Sequence, residues 1–182
     1  MNLKAIIMDD VKMRKSIVRI SHEIIERNND LSNIMLVGIK RRGIPIAERI
    51  SENIKKFEEI DVPVYKLDIS LYRDDLSELA DFPIVKDSKI EASVEKKNVI
   101  LVDDVIYTGR TVRAAIEAIF DNGRPDRIQL AVLIDRGHRE IPVRPDYVGK
   151  NIPTSQNEIV SVEVNEIDGV DSAKILVHTL YK

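Results

Sequence analysis

Apolar and polar residues alternate along the chain in two distinct rhythms, and the switch between them outlines the fold. Over 10–28 the helical rhythm dominates: Met13, Ile17, Ile20 and Ile24 recur at i, i+4, i+7 and i+11, a stripe suited to a core-facing helix. A four-residue apolar run, Ile34-Met35-Leu36-Val37, ends at Gly38 and reads as a strand buried on both faces. Gly43 leads into Ile44-Pro45, with Pro suited to an early helical position, and predicts a helix to about residue 55. A second strand is expected over 62–69. Residues 71–97 are charged and irregular, and an unstructured stretch of that length within a domain is usually functional or mobile. Val99-Ile100-Leu101-Val102 is the cleanest strand, followed by a helix from about 111 to 121 with Asn122-Gly123 as its stop and Pro125 beyond. Another buried strand covers 128–134. Thereafter short strands are expected near 147–149, 159–164 and 175–180 with no helix between them. Strand–helix alternation implies a mostly parallel sheet with right-handed crossovers, the last third forming a small β appendage. Functional loops then belong at the C-terminal ends of the parallel strands.

Composition narrows the class. The chain has 182 residues, a length for one domain of ordinary size with a full core. No Cys is present, which removes disulfides, thiolate metal sites and thiol nucleophiles and suits a reducing cytoplasm. No apolar run reaches the length of a membrane span, and the N-terminal MNLKAIIMDD turns acidic too early for a signal peptide. Aromatics are only 4% and the net charge is −3, so any nucleic-acid surface must concentrate its cations locally.

Two loops carry candidate chemistry. The stronger is VILVDDVIYTGRT over 99–111: a buried strand, the carboxylates Asp103 and Asp104, then Thr108-Gly109-Arg110-Thr111 opening a helix. Amides at a helix start form an anion site, and Gly lets a phosphate approach closely. Two carboxylates at a strand tip can accept from ribose hydroxyls or hold Mg2+ through water. Phosphate and vicinal hydroxyls together mean a sugar phosphate. The second loop, Gly38-Ile39-Lys40-Arg41-Arg42-Gly43, has the glycine spacing of a P-loop, but Ile44-Pro45 stands where that motif needs Lys and Ser/Thr. Its three cations suit a pyrophosphate cradle instead. The segment Ile6-Ile7-Met8-Asp9-Asp10 resembles the start of a response-regulator receiver, yet no segment supplies that fold's later lone Asp and Lys; Asp9 and Asp10 are expected to cap the first helix.

Residues 99–111 resemble the phosphoribosyl pyrophosphate (PRPP) signature of type I phosphoribosyltransferases, with Tyr107 where purine-salvage members usually carry an acid. Asp68-Ile69-Ser70-Leu71-Tyr72-Arg73-Asp74-Asp75, Asp135-Arg136-Gly137-His138-Arg139-Glu140, Tyr147-Val148-Gly149-Lys150-Asn151-Ile152-Pro153-Thr154 and the R-I-S-H-E helix are similar to one subgroup, the bacterial pyrimidine-operon attenuation regulators that are also uracil phosphoribosyltransferases. The similarity runs over nearly the whole chain and is weakest at 76–97 and in the last dozen residues. It implies a type I phosphoribosyltransferase fold, α/β, as one domain over 1–182, with a lid at about 71–87 and a β-rich hood mainly in the C-terminal third. It implies a cytoplasmic homodimer or larger homo-oligomer that senses uridine nucleotides (UMP, UTP), binds a leader mRNA stem-loop and promotes termination, and converts uracil and PRPP to UMP and pyrophosphate with Mg2+.

On that reading Lys40, Arg41 and Arg42 hold the pyrophosphate, Asp103 and Asp104 the ribose hydroxyls, and Arg73 reaches over from the lid. Residues Val105, Ile106, Tyr107, Thr108, Gly109, Arg110 and Thr111 hold PRPP or nucleotide, with Mg2+ carried by PRPP near Asp103 and Asp104 rather than ligated directly by the protein. Arg136 and the main chain near Val160 read uracil. Arg19, His22, Arg27, His138, Arg139 and Arg144 match RNA-contacting positions. Independently, Lys12, Lys15, Arg19 and His22 fall within about 80° of one another on the first helix, opposite its apolar stripe. Two rivals remain at this point: a salvage phosphoribosyltransferase with no RNA role, and a regulator that has lost catalysis, which intact Asp103, Asp104 and Arg73 disfavour.

Overall fold

The computed structural model describes residues 1–69 and 90–177. Five parallel strands form the main sheet in the order β3-β2-β4-β5-β6: β2 (Ile34–Ile39), β3 (Val64–Leu67), β4 (Asn98–Ile106), β5 (Arg127–Asp135) and β6 (Tyr147–Asn151). The helices α1 (Asp10–Arg27) and α2 (Gly43–Glu58) cover one face and α3 (Arg110–Asp121) the other. The strand run is apolar at every position because both faces are buried. Ile34, Leu36, Ile100 and Val102 join the cluster under α1 and α2, while Met35, Val37, Val99 and Leu101 join the cluster under α3. Met13, Ile17, Ile20 and Ile24 are all buried, as the stripe on α1 requires. Asp9 is the N-cap of α1, accepting from the Lys12 amide at 2.8 Å, with Asp10 in the first turn.

A second, antiparallel sheet, β1-β8-β7, is built from β1 (Asn2–Met8), β7 (Glu158–Glu163) and β8 (Ser172–Val177). This hood departs from the sequence reading in three ways. The strand at 147–151 belongs to the main sheet, parallel to β5, because its Tyr147 is fully buried and its hydroxyl accepts from Asn28 and Gln129. The N-terminal segment supplies an edge strand of the hood, invisible as a pattern because only Ile7 and Met8 of β1 are buried. And β7 and β8 are joined through a short helix, α4 (Asn165–Asp168), closed by Gly169 at φ +74°. Other differences are of length: α2 runs to Glu58 and starts two residues before Pro45, which tolerates a first-turn position because its missing N–H would have no helical partner there. Residues 90–97 are turns and bends anchored by buried Ile90 and Val94, while the expected lid, Arg73 and residues 178–180 of the expected last strand lie outside the described residues. No described helix is long and apolar enough to cross a membrane.

Chain direction reverses between β2 and β4: α2 leads outward to β3 over one face, and α3 leads the other way to β5 over the opposite face. Such a reversal leaves a crevice at the strands' C-terminal ends, where no connection crosses.

Candidate functional site

That crevice holds a cavity of about 500 Å³, lined by Ile39, Lys40, Arg41, Arg42, Asp68, Ile69, Asp103, Asp104, Val105 and Thr111. A neighbouring hollow of about 340 Å³ is walled by Asp103, residues 105–112 and Glu140. The two candidate loops of the sequence thus meet in space, sharing Asp103, Val105 and Thr111.

The glycines of the 38–43 loop serve backbone approach. A Cβ on Gly38 would stand 2.6 Å from the Ile44 Cα, and one on Gly43 2.3 Å from the Val102 carbonyl oxygen. The start of α2 therefore sits directly on β4, one residue before Asp103. We expect Gly43→Ala to force α2 off the strand, costing about 2–3 kcal/mol and lowering Tm by roughly 4–12 °C in a thermal melt. An unchanged Tm would mean that the helix can shift without cost.

Two of the three cations between these glycines are already engaged. Lys40 Nζ lies 2.7 Å from Asp68 Oδ2. Arg42, N-cap of α2, makes a two-pronged pair with Asp168 of α4, at 2.9 and 2.8 Å. Opposite them Asp103 is buried, its Oδ1 accepting from the Asp104 amide at 2.9 Å, and Asp104 Oδ1 accepts from the Val105 amide at 2.8 Å. Asp104 is partly exposed as a residue, yet burial of its carboxyl pushes the pKa above the ordinary carboxylate range, against the opposing pulls of Asp103 and Arg42. The cavity lining therefore carries three cations and three carboxylates, with one carboxylate biased toward neutrality.

In the adjoining hollow Gly109 is the N-cap of α3 at φ +95°, a conformation that favours glycine, and the first amides of the 12-residue helix follow it. The Arg110 amide lies 3.4 Å from Thr108 Oγ1, and the Arg110 side chain pairs with Glu140 at 2.9 Å in an exposed, weak bridge. The segment after β5 leans on this loop. The amides of Glu140 and Ile141 donate to the Thr108 carbonyl, and Arg139 stitches its own segment together through Asp135 Oδ2 at 2.6 Å, the Val143 carbonyl at 3.0 Å and the Tyr107 carbonyl at 2.8 Å. Arg136 is 6% exposed; it donates to Thr154 Oγ1 and to the Ser155 and Glu158 carbonyls, and its guanidinium lies 4.1 Å from the Tyr107 ring centroid. Val160 is half-buried in β7, paired with Ile175 of β8.

The six expected RNA-contacting residues divide. Arg19 donates to the Val148 and Gly149 carbonyls on β6, and Arg27 to the Asp146 carbonyl, with its guanidinium over Tyr147. Arg144 lines a hollow with Gly137, Arg139, Val148 and Asn151. These residues thus gather around the β6 edge. His22 instead stacks on Phe57 of α2 at 4.3 Å, and His138 sits against Thr154 and the edge of Tyr107. Sequence reasoning passed over Asp168, which partners Arg42; a carboxylate remote in sequence carries no local signal of the cation it meets. Asp68 and Glu140, partners of Lys40 and Arg110, could have been found, because each bounds one of the resemblance segments.

The family model for the phosphoribosyl transferase domain matches residues 7–167. Curated relatives named Bifunctional protein PyrR include that of Clostridium kluyveri, 64% identical over 96% of this chain and 98% of the relative, and that of Clostridium perfringens, 58% identical over the same shares. Among solved structures, a hypoxanthine phosphoribosyltransferase from Staphylococcus aureus superposes with a TM-score of 0.72 at 18% identity, covering 97% of this chain and 94% of that one. A hypoxanthine-guanine phosphoribosyltransferase from Bacillus anthracis gives 0.73 at 19%, covering 97% and 100%. At such identities the structures establish the fold alone.

Proposed function

Because the chain belongs to the phosphoribosyl transferase domain family, and within it to the group of Bifunctional PyrR proteins, we propose that it transfers the phosphoribosyl group of PRPP to uracil, giving UMP and pyrophosphate, and that it also binds leader mRNA of pyrimidine genes under control of uridine nucleotides to promote attenuation. The observation that carries the enzymatic half is the meeting of the Asp103-Asp104 strand tip, the α3 N-terminus and the 40–42 cations in one crevice.

The 5′-phosphate is held at the amides opening α3 and by the hydroxyls of Thr108 and Thr111, which makes attack at C1 effectively intramolecular. Asp103 and Asp104 accept from the ribose hydroxyls, and their field favours the cationic ring that develops as the C1–pyrophosphate bond breaks. Lys40, Arg41 and Arg42 receive the departing pyrophosphate. A lining with as many carboxylates as cations leaves little net positive charge for so anionic a substrate. Mg2+ carried by PRPP would stand near Asp103 and Asp104, whose carboxylate oxygens suit it through water, and would supply neutralisation of phosphate charge there. Arg73, assigned to the pyrophosphate by resemblance, lies outside the described residues. Uracil lies toward Arg136 and Val160; Nε and Nη2 of Arg136 are engaged by residues 154–158, and its guanidinium backs the Tyr107 ring. The protein works in the cytoplasm as a homodimer or larger assembly, with UMP and UTP as effectors.

The test is acceptor choice. With Mg2+ and PRPP, uracil is expected to yield UMP, while hypoxanthine and guanine are left unconverted, because Tyr107 offers no carboxylate to a purine ring nitrogen. Purine turnover equal to that of uracil would overturn the pyrimidine assignment despite the shared fold.

A further inference from the structure

We propose that Asp168, on the hood, is a positioning residue for pyrophosphate: it holds one edge of the Arg42 guanidinium, and its charge offsets that of Arg42, so that pyrophosphate binds there more weakly and leaves faster. This rests on the reaction assigned above.

The geometry gives Arg42 a fixed acceptor on one edge. Asp168 Oδ2 also accepts the Val164 amide at 2.8 Å, and the Asp168 amide donates to the Val164 carbonyl, so the carboxylate is pinned by its own turn. Arg42 lines the main cavity and its side chain is 34% exposed, against 19% for Asp168. Asp168 takes Arg42 at Nε and Nη2, and a guanidinium can serve a second anion through its Nη1 and Nη2 edge, as Arg49 does with two carboxylates. Pyrophosphate can therefore meet that second edge while Asp168 keeps the first, and the adjacent carboxylate charge opposes its binding and favours its departure.

The plain alternative is that the pair simply fastens the hood to α2. That task is already carried out two turns along the helix. Arg49 holds Glu166 at 2.8 and 2.6 Å and Asp171 at 3.0 and 2.8 Å, and Asp171 also takes the Asn165 amide. The Arg49 cluster belongs to neither cavity wall of the candidate site, whereas Arg42 belongs to the main one.

The experiment titrates the full chain with inorganic pyrophosphate and Mg2+ by calorimetry, alongside PRPP kinetics. Asp168→Asn keeps an oxygen for the Val164 amide and removes the charge. It should bind pyrophosphate about tenfold more tightly than wild type, with a lower KM for PRPP and a kcat reduced by slow product release. Asp168→Glu, which restores the charge, should return the affinity toward wild type. Glu166→Gln should lower Tm and leave pyrophosphate affinity unchanged. Unchanged or weaker binding by folded Asp168→Asn would overturn the proposal, as would an equal gain from Glu166→Gln. Failure of Asp168→Asn to fold would also overturn it, by showing the pair to be a fastening. If the wild-type chain bound no pyrophosphate, the reaction itself would be misassigned.

Discussion

Asp104→Asn is expected to lower UMP synthesis by about a hundred- to a thousandfold and, at neutral pH, to raise the melting temperature. The first effect follows from losing a negative charge beside the ring that becomes cationic, and from offering an amide where ribose hydroxyls need an acceptor. The second follows from burial. Desolvation raises the Asp104 pKa above its unfolded value of 3.8, so the folded state prefers the neutral carboxyl. Above the folded pKa the wild-type protein carries a charge that folding disfavours; the neutral-form advantage is fully present only below the unfolded pKa. Asn imitates the neutral form at every pH, and its oxygen can still accept from the Val105 amide. The stability gain should therefore be largest near neutrality and fade as pH falls toward and below 3.8. Parallel melts of the two proteins across that range, with initial rates at neutral pH, provide the check. Activity within a few-fold of wild type would remove Asp104 from the ribose site. A lower Tm at neutral pH would show its charge to be stabilised by partners, contrary to the burial argument.

The parts of this molecule that were legible in the sequence are those governed by short-range rules. Helix α1 announced itself by the spacing of Met13 to Ile24, and β2 and β4 by apolar runs too dense for a one-sided sheet. The Asp103-to-Thr111 loop was legible because strand, carboxylates, glycine and helix start are contiguous, so chain order alone brings them together. What stayed hidden depends on distant pairings. Strand β1 buries only two residues, and its partner β8 begins more than 160 residues later, so no local period marks it. Arg42 reads as a free cation until α4 brings Asp168 against it. Arg139 matches an RNA-contacting position by resemblance, yet all three of its hydrogen-bonding nitrogens are committed, to Asp135 at the end of β5, to the Gly137 and Val143 carbonyls after it and to the Tyr107 carbonyl. Burial of a charged group and the identity of its counter-ion are properties of topology, and no single window of sequence contains them.

The second large effect concerns RNA. Arg19, Arg27 and Arg144 collect around the β6 edge, although the whole chain carries a net charge of −3. A local concentration of this kind is what a phosphate backbone requires, and pairing of two subunits would enlarge it. Arg19 also fastens α1 to the Val148 and Gly149 carbonyls, so reversing its charge would confound folding with binding. Arg19→Gln keeps an amide donor within that contact while deleting the charge, and Arg144→Glu reverses an exposed charge. The double variant is expected to lose leader-RNA binding by a hundredfold or more at physiological salt. The slope of log affinity against log salt should become shallower by about 0.7–0.9 for each phosphate contact removed. UMP synthesis should stay within about twofold of wild type, since Arg139 still pins the segment to the Tyr107 carbonyl and neither altered residue lines the two cavities of the crevice. Filter binding across a salt series, with rate measurements on the same preparations, separates the outcomes. Loss of both activities together would place RNA and PRPP on overlapping surfaces. RNA binding retained at the wild-type salt slope would remove the β6 edge from the interface and return the search to the His22 side of α1.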